Sequence, residues 1–209
     1  MPKRDQFFAD LAPEGRQAAL LLAQVGGMPT ELQLVVQVAQ YDEASGGLRP
    51  VRTYIVRVLG VLEHRIANLG TTTDEVTLTT DHPLLYAYSS PAAALFFRGS
   101  AANPALLALD IAQEHALTFR GWRHFPDYLN VDAPLLTLLA SGGGLLGQMP
   151  LPLAERLARA LEAHGLETKL MQDAPPARPP MPDQRLQALV LGESFFISWA
   201  FSFEEMGKV

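Results

Sequence analysis

The chain contains no cysteine. That absence excludes disulfides, Fe–S clusters, thiolate zinc sites and cysteine nucleophiles together, and it fits a reducing compartment. Long apolar runs are missing as well. No window approaches the roughly 18 uninterrupted apolar residues of a membrane-spanning helix. The apolar stretch at Ala18–Ala23 is too short for a secretory signal. The expected address is therefore the cytoplasm. A basic excess is absent too: the net charge is −6 and the pI about 5.3. Proteins that bind nucleic acid in general carry a basic footprint, so this balance argues against that class. Charged residues are sparse at 18% and hydrophobic ones reach 48%, a globular composition and not a disordered one. Arginine outnumbers lysine, and alanine, leucine and proline are abundant. This bacterial-type composition is a property of the genome before it is one of function.

What is present reads as one compact α+β domain over residues 1–209, with helices packed on a mainly antiparallel, twisted sheet. Residues 5–25 read as helix, divided by Pro13 and stopped by Gly26-Gly27. Residues 30–60 read as a β-hairpin, with alternating Leu32, Leu34, Val36 and Val38 on the first strand and a polar, Gly-rich turn at 42–47. The return strand is apolar on both faces, which predicts a central, covered position. Short strands are expected at Glu75–Thr80, Leu84–Tyr88 and Ala93–Arg98. Asn103-Pro104 predicts a capped helix start, with the helix running to about Leu117. Leu135–Leu139 fits strand or helix. Leu153–His164 is an amphipathic helix stopped by Gly165, and Leu166–Met171 fits a strand. Ala174–Asp183, with five prolines, reads as an extended loop. Gln187–Glu204 gives the clearest strand pattern, with Phe195, Ile197, Trp199, Phe201 and Phe203 on one parity. Too few residues follow the Pro-rich loop to form a core alone, so this strand must join the main sheet or another chain.

Three constellations are candidates for a site. Gly142-Gly143-Gly144-Leu145-Leu146-Gly147 matches G-x-G-x-x-G, with Glu167 where a ribose-binding acid would stand. Pro150 and Pro152, however, fall where the helix of a dinucleotide fold should be running, so a flexible connection or a lid is the plainer reading. The segment 119–130 gathers Phe119, Arg120, Trp122, Arg123, His124, Phe125, Asp127 and Tyr128. Tryptophan, tyrosine and arginine dominate binding hot spots, and Asp127 is close enough in sequence to orient His124 as a base. The bland alternative packs the rings onto the sheet and leaves Arg123 and Asp127 to pair at the surface. Arg49, Arg52, Arg57 and Arg65 form a local positive excess that suits an anion or nucleic acid, or else pairs with the acidic surplus.

Other routes to chemistry are thin. His64, His82, His115, His124 and His164 show no H-x-x-x-H spacing, so no metal is expected. Ser141, Ser89, Ser90 and Ser100 lie outside any nucleophile elbow. No cofactor is expected and no catalytic residue is assigned. The leading expectation is a binding or assembly module with Trp122, Arg123, His124, Asp127 and Tyr128 as contact surface. The alternative is a nucleotide- or small-molecule-binding protein or enzyme using Gly142, Gly144 and Gly147 with His124, Asp127 or Arg123. A second alternative binds anions or nucleic acid through the arginine strand. The small residues Ser198, Ala200 and Ser202 on the other face of the last strand add a homodimer as an expected partner, provided that strand lies at a sheet edge.

Overall fold

The computed structural model describes residues 2–130, 132–175, 181 and 183–207. Most of the Pro-rich stretch read as a loop lies outside the described residues. In chain order the elements are α1 (Lys3–Leu11), β1 (Arg16–Val25), β2 (Glu31–Asp42), β3 (Gly47–Arg65), β4 (Thr72–Thr73), β5 (Val76–Thr79), α2 (Tyr86–Ser89), β6 (Ala92–Arg98), α3 (Pro104–Phe119), α4 (Leu135–Ala140), β7 (Gly143–Pro150), α5 (Leu151–Ala163), β8 (Glu167–Gln172), β9 (Gln187–Leu191) and β10 (Ser194–Glu205). The fold is α+β with antiparallel sheets, as the sequence predicts. Two compact units can be distinguished, residues 1–81 with 179–209, and residues 82–178.

The first unit is a curled half-barrel sheet in the order β4-β1-β2-β3-β10-β9-β5. Its two edges are consecutive in sequence. β4 pairs with β1, β5 pairs with β9, and only Asp74-Glu75 separates β4 from β5. One bent segment thus serves both margins, pairing with β1 at Ala18–Ala19 and with β9 at Ala188–Leu191. Leu34, Val36 and Val38 of β2 and Tyr54, Val56 and Val58 of β3 alternate inward and are fully buried. They meet Leu20, Leu189, Leu191, Phe196 and Phe203, with Phe7 of α1, in one core. Phe7 stacks edge-on against Tyr54 with ring centroids 5.1 Å apart.

Five expectations change in this unit. Residues 16–25 are strand, not helix. Ala18–Ala23 has helix-forming composition, but pairing with β2 and inward burial of Ala18 and Leu20 override it. A bulge between Leu20 and Leu22 leaves Leu21 and Leu22 exposed. Gln187–Glu204 is a hairpin rather than one strand, because Gly192 takes φ +57° and turns the chain. β10 is not an edge strand over Ser194–Ser198, where β3 and β9 flank it, and beyond Ser198 it pairs with β3 alone among the described strands, so the edge condition for a homodimer is met only in its second half. Its aromatic parity is also broken: the core receives Phe196 before the bulge at Ile197/Ser198, and Phe201 and Phe203 after it. β3 is central as predicted, but only one face is covered, with Val51 exposed and Ile55 half-buried on the other.

The second unit is a three-stranded antiparallel sheet with β6 between β7 and β8. Asn103 caps α3 as the sequence predicts, its Oδ1 accepting from the Leu106 N–H at 3.1 Å. Leu153, Ala154, Leu157, Ala158 and Leu161 line the buried stripe of α5. They pack with Leu107, Ile111 and Phe119 of α3 and Leu95 and Phe97 of β6. Leu84–Tyr88 is helical rather than a strand, beginning where His82 Nδ1 accepts from the Leu84 N–H. Leu135–Leu139 resolves to helix.

Candidate functional site

Beyond Gly142, which lies in the turn before β7, the glycine run is strand. Gly143, Gly144 and Gly147 lie within β7 and pair with Arg98, Phe97 and Leu95 of β6. A phosphate loop needs backbone N–H groups free to point at the ligand, ahead of a helix N-terminus. Here the glycines are ladder residues and the next helix begins only at Leu151, beyond Pro150. Their purpose is close approach. Gly143 takes φ +154°, and a Cβ there would stand 2.9 Å from the Phe97 carbonyl. A Cβ on Gly147 would run into the Tyr128 carbonyl.

That last contact shows where the aromatic segment goes. Leu129 bridges to Gly147, and Asn130 donates from its backbone to Leu146 O at 2.8 Å and from Nδ2 to Leu145 O at 3.2 Å. Segment and glycines meet backbone to backbone, as a packed extension of β7. Tyr128 stacks on Phe119 at 5.1 Å, and both rings, with Phe125, surround His115. Burial pushes the His115 imidazole below its ordinary range, against the opposing charge of Asp127, and its Nε2 has no hydrogen-bond partner. Trp122 meets the His82 ring edge-on at 5.5 Å, and Arg123 Nη2 donates to Leu84 O at 3.4 Å. His124 and Asp127 are exposed, with no side-chain hydrogen bond joining them among the described residues. The base-and-orienter pair does not form.

The other histidines are scattered. His64 lies parallel to Phe196, and His164 bonds Asp110 at 2.7 Å. Among the described residues no three His, Asp or Glu side chains converge as a metal site would require. The arginines do not share one face. Arg57 pairs with Glu204 at 3.5 Å, while Arg52 turns to the opposite side of β3 and pairs with Asp10 at 2.9 Å and Glu205 at 3.0 Å.

Arg52 belongs to a network that fastens α1 over one end of the half-barrel. Asp10 Oδ2 accepts from Arg52 Nη1 and from the Tyr54 hydroxyl at 2.6 Å. Arg16 Nη1 donates to Asp10 O at 2.7 Å, and Lys3 Nζ to Glu205 Oε2 at 2.7 Å. Burial and the bond to Asp10 push the Tyr54 hydroxyl up to about 12. The bond from Lys3 holds the Glu205 carboxyl below its usual range. The Arg52 guanidinium is raised by its bond to Tyr54 and by the nearby carboxylates, against desolvation.

The opposite end has no such cap among the described residues. Leu21, Leu22 and Val25 of β1, Met28 of the following turn, Leu59 and Leu62 of β3, and Ile66 and Leu69 beyond it are all exposed there. Val25 reaches 73% and Met28 66%, so these side chains are directed to solvent. Hydrogen bonds hold the pieces together: Val61 N donates to Thr30 O at 3.0 Å, and Gly70 N to Leu20 O at 2.8 Å. Residues 17–30 and 66–73 contain no charged side chain.

A groove of about 370 Å³ also opens beside β10, between Arg4, Thr80, residues 183–185 and 187, and Trp199–Phe201. β9 ends at Gln187 opposite Ser198, so beyond that point β10 is paired with β3 alone among the described strands. Trp199 is seated on Gly60, where a Cβ would stand 3.0 Å from its Cδ1. Both surfaces escape sequence reasoning because their residues come from distant parts of the chain. The one local signal was the charge-free run at 17–30. Compared with models of protein families, with curated proteins and with solved structures, the chain matches none.

Proposed function

We propose that this protein is a non-enzymatic assembly module whose half-barrel associates with a second copy through its uncapped end. One observation carries the reading: eight large apolar side chains are exposed towards that end, six of them within the stretches 17–30 and 66–73, which lack charge. Apolar surface concentrated in one part of a molecule is the kind that takes part in association, unlike single scattered residues. The occupant proposed is a second copy, and net charge restricts where two copies can meet. Each chain carries a net −6, so two chains repel over most of their surfaces. The uncapped end is where they can meet with apolar burial and the least repulsion.

The contact surface expected at 119–130 has less support, because Phe119, Phe125 and Tyr128 turn inward around His115. The glycine reading has less still, its backbone being committed to β7. Sedimentation of the full chain over a range of concentrations tests the proposal. The expected result is a reversible dimer that becomes monomeric in a Val25→Asp, Leu69→Asp double variant with unchanged circular dichroism. A chain that stays monomeric at every concentration overturns it, as does a dimer indifferent to both substitutions.

A further inference from the structure

We infer that the open side of β10, from Trp199 towards Phe203, takes up an extended acidic peptide segment as an added strand. This surface is separate from the uncapped end and rests on different observations. β10 runs to Glu205, but β9 stops pairing with it at Ser198. The remaining stretch is a sheet edge within the half-barrel. Backbone N–H and C=O groups on an edge require partners, and a peptide in extended conformation supplies them in register. Edges that are kept from pairing are guarded by proline, by inward charge or by a covering element. Residues 199–203 contain no proline and no charge.

The walls of the groove specify the occupant. Arg4 and Arg185 line the groove together with one carboxylate, Asp183. Arg185 makes no salt bridge among the described residues, and the only one of Arg4 is to its chain neighbour Asp5 at 3.6 Å. In a chain of net −6, the groove lining carries one more positive than negative side chain, and Arg185 is the cation in it without an ion pair among the described residues. Carboxylates on alternate residues of an added strand would face these arginines. The side chains between them would meet the indole of Trp199, which Gly60 allows to lie close against β3, and the ring of Phe201. Gln184 adds a carbonyl oxygen that is buried without a partner, a demand that a small shift towards a peptide N–H would satisfy.

The test uses the full chain and a fluorescein-labelled, capped hexapeptide alternating valine and glutamate, followed by anisotropy. Saturable binding is expected, with hydrogen exchange of the amides at 199–205 slowed in the complex. Replacing glutamate by lysine in the peptide, or Arg185 by Glu in the protein, should weaken binding by about tenfold or more, the scale of one lost charge-assisted contact. Methylating alternate peptide nitrogens should abolish it, because strand addition needs the backbone and a purely ionic contact does not. No saturable binding overturns the inference. So does equal binding of the methylated peptide, which would mark adsorption of charge only. Protection elsewhere than 199–205 overturns it as well.

Discussion

The half-barrel treats its two ends in opposite ways. One end is closed by a nine-residue helix, a fully buried phenylalanine and a chain of polar bonds through Asp10, Arg52, Tyr54, Glu205 and Lys3. The other has leucine, valine, isoleucine and methionine facing water. At the capped end the chain has used its own N-terminal segment to satisfy both the apolar interior and the strand termini. At the uncapped end the same sheet offers apolar surface with nothing from the described chain over it. A surface that folding leaves apolar is one that association can complete, and the proposed assembly rests on this difference between the ends.

Breaking the capped end should have the larger effect on stability. Phe7→Ala removes a ring that is 1% exposed and is expected to destabilise the half-barrel by about 3–5 kcal/mol, the cost of such a cavity. Chemical denaturation would show it as a lower midpoint. Asp10→Ala deprives the buried Tyr54 hydroxyl and Arg52 of their shared acceptor. A loss of about 1–3 kcal/mol is expected, and Tyr54→Phe in the same background should restore part of it. If Asp10→Ala proves neutral, the network is ornamental and the contrast between the ends weakens.

Alkaline pH examines the same network without mutation. The Tyr54 hydroxyl, raised to about 12 from an ordinary value of 10, favours the protonated form in the folded state. Its contribution is therefore fully present below about pH 10 and is lost as pH rises towards 12. Ultraviolet titration should find a tyrosine ionising near pH 12 that disappears in Tyr54→Phe, and that substitution should flatten the stability curve over the window. The smallest effects on stability belong to the uncapped end. Val25→Asp is expected to shift unfolding by no more than about 0.5 kcal/mol, as surface changes do, while reducing dimer formation in sedimentation. Loss of folding in that variant would mean that Val25 supports the core and would erase the comparison.

The fold was readable wherever local pattern and tertiary environment agreed. The alternation in β2, the Asn103-Pro104 start of α3 and the buried stripe of α5 each announce themselves within a few residues. β1 did not, because alanine and leucine at 18–23 favour helix and only the partner strand makes them extended. The turn at Gly192 was hidden inside an apolar run whose parity looked continuous. The glycines at 143–147 matched a phosphate motif because sequence records small size and not what size makes room for, here Phe97 and Tyr128. The groove was illegible for a different reason. Arg4, Trp199 and Arg185 share a wall only because α1 and β10 meet at the same side of the half-barrel.

The position of β10 also has a consequence for the order in which the molecule is made. β10 is synthesised after every strand it touches, yet it sits between β3 and β9 in the middle of its sheet. The strands of the second unit, by contrast, have all their partners once Gln172 has been made. A nascent chain halted before Gln187 would hold a completed β7-β6-β8 sheet, a β4-β1-β2-β3 sheet open along β3, and β5 without the strand it pairs with. Such open margins are prone to pair with other chains. The sequence most exposed to aggregation is thus not a segment of the finished molecule but an interval in its synthesis, ended when the final hairpin enters the slot between β3 and β5.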